Sequence, residues 1–357
     1  MILPHTNFSI LVLMVVSLFC LGSWANTFKL AGKWRYELYY FDFAFGLILL
    51  TLVYVLTLGN MGYDGFGVMD SVMNAGKQQW LFAFGAGVVF TLGNTLLIAV
   101  VSTAGMTLAF PVAMGAAIIL GAIINWASGP VSMPLFLWTG CLLVAAAMAA
   151  DALGHIALLR LRHEALARAG KAKSTRRPFD LKDTVMAVVA GLLLGSLPLL
   201  LQRATVADIG LGPYAVWLFF GVGALATTMA GGMFLLNLSM QEEELSITAF
   251  IKSSPRQHIW GMMGGALWLT GALAAFVAIY ANTAPGVNGG LAAGATPVGS
   301  APIYALSQCA ALLAAIWGIV AWKEGRGGNS SVRLMTGLTL VLFAGGVGLI
   351  TLSGVGR

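Results

Sequence analysis

Ten uninterrupted apolar runs, each about 20 residues long, constrain this chain more than any other feature of its sequence. A helix needs about 20 apolar residues to cross the roughly 30 Å hydrocarbon layer of a bilayer. Only 9% of the 357 residues are charged and the mean hydropathy is +0.89, which excludes an ordinary soluble domain. We interpret the first run as a membrane helix, because the bulky Trp24 stands where the cleavage site of a signal peptide needs a small residue. The sequence therefore predicts an all-α integral membrane protein with ten transmembrane helices, over residues 8–29, 38–58, 80–102, 104–126, 135–159, 184–202, 213–238, 258–281, 301–322 and 333–353.

Basic residues are distributed unevenly between the segments that join these runs. Sixteen of the nineteen lysines and arginines follow odd-numbered runs, and eight of those sixteen lie in the segment 160–183. Loops rich in Lys and Arg stay in the cytoplasm. We therefore expect a bacterial-type inner (plasma) membrane protein with 160–183 as a cytoplasmic linker and both termini outside. The net charge of +6 then reflects topology, and nucleic acid is not an expected partner.

Four short patterns occur twice in the same order along the chain. Their paired positions are Gly22 with Gly195, Gly46 with Gly221, Gly93 with Gly271, and Pro111 with Pro302. The separations are 173, 175, 178 and 191 residues, and the largest increase falls in the Gly/Ala-rich loop 282–299. Such growing separations indicate a duplicated five-helix unit, with residues 1–159 and 184–357 as the two repeats.

A repeat of five spans has a mechanical consequence. Because five is odd, the second repeat enters the membrane from the opposite side, which gives an inverted-topology pair. If the two halves exchange two slightly different conformations, an inward-open protein becomes outward-open. The architecture therefore favours a transporter over a channel, a receptor or a membrane enzyme.

Two motifs of the second half are similar to those of a known transporter family. They are Gly264-Gly265-x2-Trp268-x2-Gly271 and Trp317-Gly318-x3-Trp322-Lys323-Glu324. Together with Gly93-Asn94 and Ala109-Phe110-Pro111, they resemble the bacterial relatives of the ureide permease and glucose/ribose porter families in the drug/metabolite transporter superfamily. The resemblance implies a central cavity lined by spans one to four and six to nine. It also implies transport of ureides, nucleobase-like compounds or sugars, although Ser307 and Gly325 depart from the family pattern.

Polar and aromatic residues inside the spans are the candidates for substrate binding. Asn94 and Gln308 carry amides, which offer two donors and an acceptor to a sugar or a ureide. Trp268, its repeat counterpart Phe90, and Trp317 offer rings that stack on a sugar or a heterocycle. The alternatives are that the amides join helices to each other and that the rings pack the protein interior.

Charged residues near the cytoplasmic ends of the spans are the candidates for coupling or gating. Asp42 is either a proton-coupling site or one half of a gate ion pair. Lys323 and Glu324 are expected to form a matching gate at the end of span nine. Asp151 and His155 are four residues apart on one helical face, where they form either a proton relay or a polar patch at the membrane interface.

Glycine pairs spaced four residues apart predict close helix packing. They are Gly191-x3-Gly195 in span six and Gly261-x3-Gly265 in span eight. Without a Cβ atom at these positions, the backbone of a neighbouring helix can approach closely.

These observations favour a secondary active transporter of small polar metabolites, driven by a proton gradient. An exporter of drugs or amphipathic metabolites is the alternative. A membrane enzyme is not expected, because the histidines at 5, 155, 163 and 258 are scattered along the chain. The expected partners are a small-molecule substrate, the lipid bilayer, a coupling proton and a second copy of the chain in a homodimer. No metal and no cofactor are expected.

Overall fold

The fold is known from a computed structural model that describes residues 1–129, 131–169, 181–205, 210–237, 250–283 and 300–354. Within these ranges every regular element is a helix. The helices are α1 Asn7–Ser23, α2 Asn26–Leu30, α3 Tyr36–Leu56, α4 Val68–Asn74, α5 Lys77–Thr103, α6 Met106–Ser128, α7 Pro134–Arg168, α8 Lys182–Gly195, α9 Leu197–Thr205, α10 Ala215–Asn237, α11 Pro255–Thr283, α12 Ser300–Val320 and α13 Ser330–Leu352.

Seven spans among the described residues are long and apolar enough to cross a membrane, with α8 and α9 counted as one span over Lys182–Thr205. The all-helical, multi-pass membrane protein predicted from the sequence is therefore confirmed. The three other expected spans coincide with shorter apolar helices, at Asn7–Ser23, Ala215–Gly231 and Ala305–Val320. The count of ten crossings and the division into two repeats remain predictions.

The first of two compact units comprises Met1–Thr95 and Ser196–Gly299. Its centre is α11, which packs against α1 and α3, while α10 packs against α3. Aromatic side chains fill much of the space between these helices. Tyr39, Phe43, Phe90 and Phe220 are all less than 2% exposed.

The second unit comprises Leu96–Gly195 and Ser300–Arg357. Here α7 packs along α13, and α6 packs against α7, α8 and α12. The buried side chains between them are aliphatic apart from Phe343 and Cys141, and include Leu137, Val144 and Ile350. Each unit thus contains segments from both sides of the 160–183 linker, whose first residues continue α7 as far as Arg168.

Glycines determine where the helices of each unit approach most closely. In the second unit, a methyl group added at Gly191 or Gly195 would meet the backbone of α6 at Ala113 or Ala117. In the first unit, a methyl group at Gly265 would meet the α3 backbone, and one at Gly261 would meet Asp42. The close packing predicted from both glycine pairs is confirmed.

Candidate functional site

The most informative polar contact of the first unit joins Asp42 to His258. The carboxylate Oδ2 of Asp42 lies 2.7 Å from Nδ1 of His258. The side chain of Asp42 is 7% exposed and that of His258 is 27% exposed. The contact joins α3 to α11 within helices that are apolar enough to cross a membrane. A partly buried acid–histidine pair in such a position is a functional-site candidate on physical grounds.

Local sequence explains why His258 reaches Asp42. The side chain of Ser254 and that of Gln257 make the reciprocal bonds of a capping box, with Ser254 N donating to Gln257 Oε1 at 2.9 Å. Pro255 is the first residue of α11, where its missing N–H is harmless. The helix start is thereby fixed, and His258 lies in its first turn. On α11, Gly261 leaves room for the Cβ of Asp42.

Aromatic rings enclose the imidazole of His258. Phe250 lies edge-to-face with it at 4.8 Å between ring centroids, and Trp34 does so at 5.5 Å. Trp34 is 8% exposed, and its indole N–H donates to Ser253 Oγ at 3.1 Å. These rings limit the access of water to the pair, which strengthens the electrostatic interaction between its members.

The structure gives Asp42 a partner that is distant in the sequence, although Arg35 lies only seven residues before it. Arg35 pairs instead with Glu37 at 3.0 Å, two residues along the same segment. His258 was not among the predicted site residues, and the fold brings it to Asp42 from 216 residues away. The capping residues Ser254 and Gln257 before an apolar run are the sequence signal that could have placed His258 at a helix start.

Two of the predicted aromatic residues lie together in the first unit. The ring centroids of Phe90 and Trp268 are 3.9 Å apart. Phe220 lies 5.2 Å from Phe90 and stacks on Trp268 at 5.8 Å, and Trp217 lies 4.8 Å from Phe220. We call these four side chains the aromatic cluster. Trp217 and Phe220 were not predicted, although Phe220 lies next to Gly221 in one of the repeated patterns.

The indole N–H of Trp217 is a buried hydrogen-bond donor in the aromatic cluster. Trp217 is 3% exposed, and its Nε1 is buried without a hydrogen-bond partner among the described residues. A buried donor without an acceptor costs about 1–3 kcal/mol, so such groups usually serve a ligand or a water molecule.

Asn94 is connected to the aromatic cluster through two further rings. Its Nδ2 donates to the hydroxyl of Tyr40 at 3.4 Å, and it is 1% exposed. Tyr40 stacks on Phe43 at 5.1 Å, and Phe43 lies 6.3 Å from Phe90. Three predicted substrate residues, Asn94, Phe90 and Trp268, thus belong to one continuous cluster of side chains.

The remaining predicted residues belong to the second unit. Gln308 is half-buried on α12. Trp317, on the same helix, is 38% exposed. Lys323 is exposed and has a left-handed backbone, with φ at 52°.

Glu324 caps a helix in the second unit. It accepts the backbone N–H of Met106 at 3.0 Å and that of Thr107 at 2.8 Å, and the Thr107 hydroxyl at 2.7 Å. These groups form the N-terminus of α6, where the helix dipole favours a negative charge. The gate expected of Lys323 and Glu324 remains a prediction.

In the described ranges no group of three or more His, Cys, Asp or Glu side chains could hold a metal ion. No protein-family model matches the chain, and a search of curated proteins finds no match. The physical arrangement of the residues therefore carries the functional argument.

Proposed function

We propose that this chain is a secondary active transporter of small polar metabolites, of the sugar, ureide or nucleobase class. We further propose that it works by alternating access and uses a proton gradient, as the resemblance to the drug/metabolite transporter superfamily implies. The observation that carries the proposal is the partly buried Asp42–His258 pair between α3 and α11. Ionisable groups inside a membrane span are costly, and proton pathways are a principal reason to retain them.

The directions of packed helices support ten crossings. Along α3 and α11, Asp42 contacts His258 and Tyr54 contacts Thr270, so these two helices run parallel. They are the second and eighth of the ten apolar helices. Parallel helices require an odd number of crossings between them, and among the described residues five apolar helices lie between α3 and α11, including the shorter α10.

Two pairs of packed helices in the second unit also have the relative directions expected for ten crossings. Gly140 of α7 faces Ile350 of α13 while Gly154 faces Met335, so these helices are antiparallel, as the fifth and tenth spans should be. In α8, Gly191 and Gly195 face successive positions of α6, so the fourth and sixth spans are parallel. All three pairs agree with a chain that crosses ten times.

A repeated glycine contact supports the inverted repeats. A methyl group added at Gly265 would meet Phe43 O and Leu47 N, and one at Gly87 would meet Phe220 O and Ala224 N. Gly265 stands 178 positions after Gly87, and Phe220 and Ala224 each stand 177 positions after Phe43 and Leu47. This register differs by two residues from the pairing of Gly46 with Gly221 that the sequence patterns predicted. The glycine comes from the second half in one contact and from the first half in the other. A pseudo-two-fold axis between the halves produces this exchange.

The Asp42–His258 pair suits proton coupling for an electrostatic reason. With a proton on the imidazole, the pair is an imidazolium and a carboxylate with no net charge. Without that proton it carries one uncompensated negative charge in a largely buried place, which is costly. Proton occupancy therefore changes the attraction between α3 and α11, and the packing of these helices in turn favours one proton state.

The aromatic cluster and Asn94 suit a small polar substrate. Aromatic faces bind the apolar faces of sugars and heterocycles, and an amide or an indole N–H provides directional hydrogen bonds. Trp268 is half-buried, and its ring is therefore partly accessible. The N–H of Trp217 donates to no described residue and can donate to a substrate.

The proposal is tested by uptake into proteoliposomes from a panel of sugars, ureides and nucleobases, with and without an inward proton gradient. In Asp42→Asn and in His258→Gln we expect gradient-driven uptake to fall to the level seen without a gradient. Exchange of labelled for unlabelled substrate should persist in both variants, because exchange needs no net proton movement.

Glu37→Gln is the matched control, because Glu37 is also a buried acid of α3 but pairs with Arg35. This variant should keep its response to the gradient. Full gradient stimulation in both the Asp42 and the His258 variants would contradict the proposed coupling.

An exporter of amphipathic compounds is the second candidate, and one cavity favours it. The first unit contains a cavity of about 480 Å³ lined mainly by apolar side chains of α1, α3 and α11, among them Phe8, Val12 and Leu273. Its size lies within the range of drug-sized pockets. The few polar groups nearby bond to the protein, for example Tyr54 to Thr270 at 3.0 Å. Absence of uptake for every polar compound, with gradient-driven efflux of lipophilic cations, would favour this function.

A further inference from the structure

The second unit contains a buried acidic residue that the proposed transport mechanism does not use. Asp151 lies on α7 and is 5% exposed. Its Oδ2 is buried and accepts no hydrogen bond from the described residues. A carboxylate in this state would be a buried charge with an unsatisfied oxygen, which is unfavourable by several kcal/mol.

A second carboxyl group faces the same space. Asp151 and Glu324 both line a cavity of about 30 Å³, together with His155, Thr107 and Thr336. The volume is sufficient for one water molecule. The structure thus places two acids around a space the size of a single water molecule. Oδ2 of one of them, Asp151, accepts no hydrogen bond from the described residues.

Glu324 is the acid of this pair whose oxygens already accept hydrogen bonds. Two backbone N–H groups and one hydroxyl of the α6 N-terminus donate to its carboxylate. Charge-assisted bonds at a helix N-terminus favour the negative form. Two carboxylates that share one site do not both ionise readily, so the other acid is the one that carries a proton.

The other groups that face Asp151 do not supply the missing donor. The Thr107 hydroxyl donates to Glu324, and the Thr336 hydroxyl donates to Val332 O at 3.0 Å. The nearby cation Arg162 donates to the backbone carbonyls of Glu324 and Arg326. His155 is the titratable side chain of α7 that lines the same cavity, and from α6 and α13 only uncharged side chains line it.

We propose that Asp151 and Glu324 form a carboxyl pair that binds one proton, carried by Asp151 and shared with Glu324 directly or through one water. A metal cation fits the site less well. Hard cations take about six oxygen ligands, and no cluster of three acidic, His or Cys side chains is present in the described part of the chain. The proposal does not depend on the transport function, because it concerns proton binding within the second unit alone.

The proton has a structural consequence at the start of α6. Glu324 connects the segment after α12 to the first residues of α6, and Arg162 of α7 binds that segment. Loss of the proton would place a second negative charge beside the carboxylate that makes this cap. Proton binding at Asp151 therefore stabilises the junction of α6, α7 and the segment after α12.

The test is infrared difference spectroscopy of the purified full chain during a pH titration. We expect the carbonyl band of a protonated carboxylic acid at neutral pH, and we expect it to disappear as the pH is raised. In Asp151→Asn that band should be lost, while the folded protein remains because an amide resembles a neutral carboxyl group. In Glu324→Gln the band should persist but titrate at a lower pH, since the neighbouring charge is gone.

Asp183→Asn is the matched control, because Asp183 is a buried acid of the same unit whose Oδ1 accepts the Thr103 hydroxyl at 2.9 Å. The band should be unchanged in that variant. A band that survives Asp151→Asn, or that titrates identically in Glu324→Gln, would overturn the proposal. A sodium effect would overturn it as well. If sodium chloride stabilised the wild type more than choline chloride does, and this difference were absent in Asp151→Asn, the site would bind a metal cation instead of a proton.

Discussion

At the scale of single residues, the buried polar atoms of this protein fall into two classes. Most are satisfied by local contacts, as when Thr27 Oγ1 donates to Trp24 O at 2.7 Å. A few are buried without a partner in the described ranges, and they include Trp217 Nε1 and Asp151 Oδ2. Because buried polar groups are almost always hydrogen-bonded, each exception is a candidate position for a bound substrate, proton or water molecule.

Trp217→Phe tests this inference for the aromatic cluster. The substitution removes the indole N–H and retains an aromatic ring, so a substrate that accepts this hydrogen bond should bind less tightly. One neutral hydrogen bond contributes about 0.5–1.5 kcal/mol, so the half-saturation concentration for uptake should rise roughly two- to tenfold. Trp80→Phe is the control, because Trp80 Nε1 is also buried without a described partner but its ring stacks on Phe219. An equal rise in both variants would argue against a role in binding for Trp217.

At the scale of helices, glycine determines how closely the elements of each unit pack. The crossing of α3 with α11 and that of α5 with α10 both bring backbone against a glycine Cα. In a membrane such contacts matter because helix association depends on close van der Waals packing, and the hydrophobic effect contributes little between helices surrounded by lipid. The predicted roles of Gly261 and Gly265 follow from this principle.

Gly87→Ala and Gly85→Ala form a matched pair on α5. A methyl group at Gly87 would meet the α10 backbone, so we expect destabilisation by about 1–3 kcal/mol. A methyl group at Gly85 meets no atom within 4 Å, so this variant should be unchanged or more stable by up to about 1 kcal/mol. Thermal unfolding in detergent, followed by circular dichroism, measures both. Similar destabilisation by Gly265→Ala is expected if the two crossings are equivalent by repeat symmetry.

At the scale of the whole molecule, alternating helix directions and basic loops predict one topology. The segment between α6 and α7 should face the outside, and the segment between α12 and α13 should face the cytoplasm. Two exposed residues are suitable reporters: Ser132 in the first segment, and Ser330, which begins α13 directly after the second.

The topology is tested by cysteine labelling after replacement of Cys20, Cys141 and Cys309. In intact cells, Ser132→Cys should react with a membrane-impermeant maleimide, and Ser330→Cys should react only after the membrane is opened. Labelling of both positions in intact cells would be inconsistent with the predicted number of crossings between them.

Much of the helical fold follows from sequence, because each apolar run has to satisfy its backbone hydrogen bonds internally in lipid. Helix boundaries shifted where local polarity did not stop the helix, as in α7, which continues to Arg168 through the start of the expected linker. The candidate site was predicted only in part. Phe90, Trp268 and Asn94 lie in one cluster of side chains, but no local pattern indicated that Trp217 and Tyr40 would join it.

The sequence by itself determined that the chain crosses a membrane many times, that its segments are helical, and that glycines permit close packing. These properties depend on composition and spacing within one segment, and on the cost of placing polar groups in lipid. Only the tertiary structure decided that Asp42 meets His258 across 216 residues and that Glu324 caps α6 across 217. The partner of a buried charge depends on which helices pack together, and that depends on the side chains of every helix at the crossing rather than on any one segment.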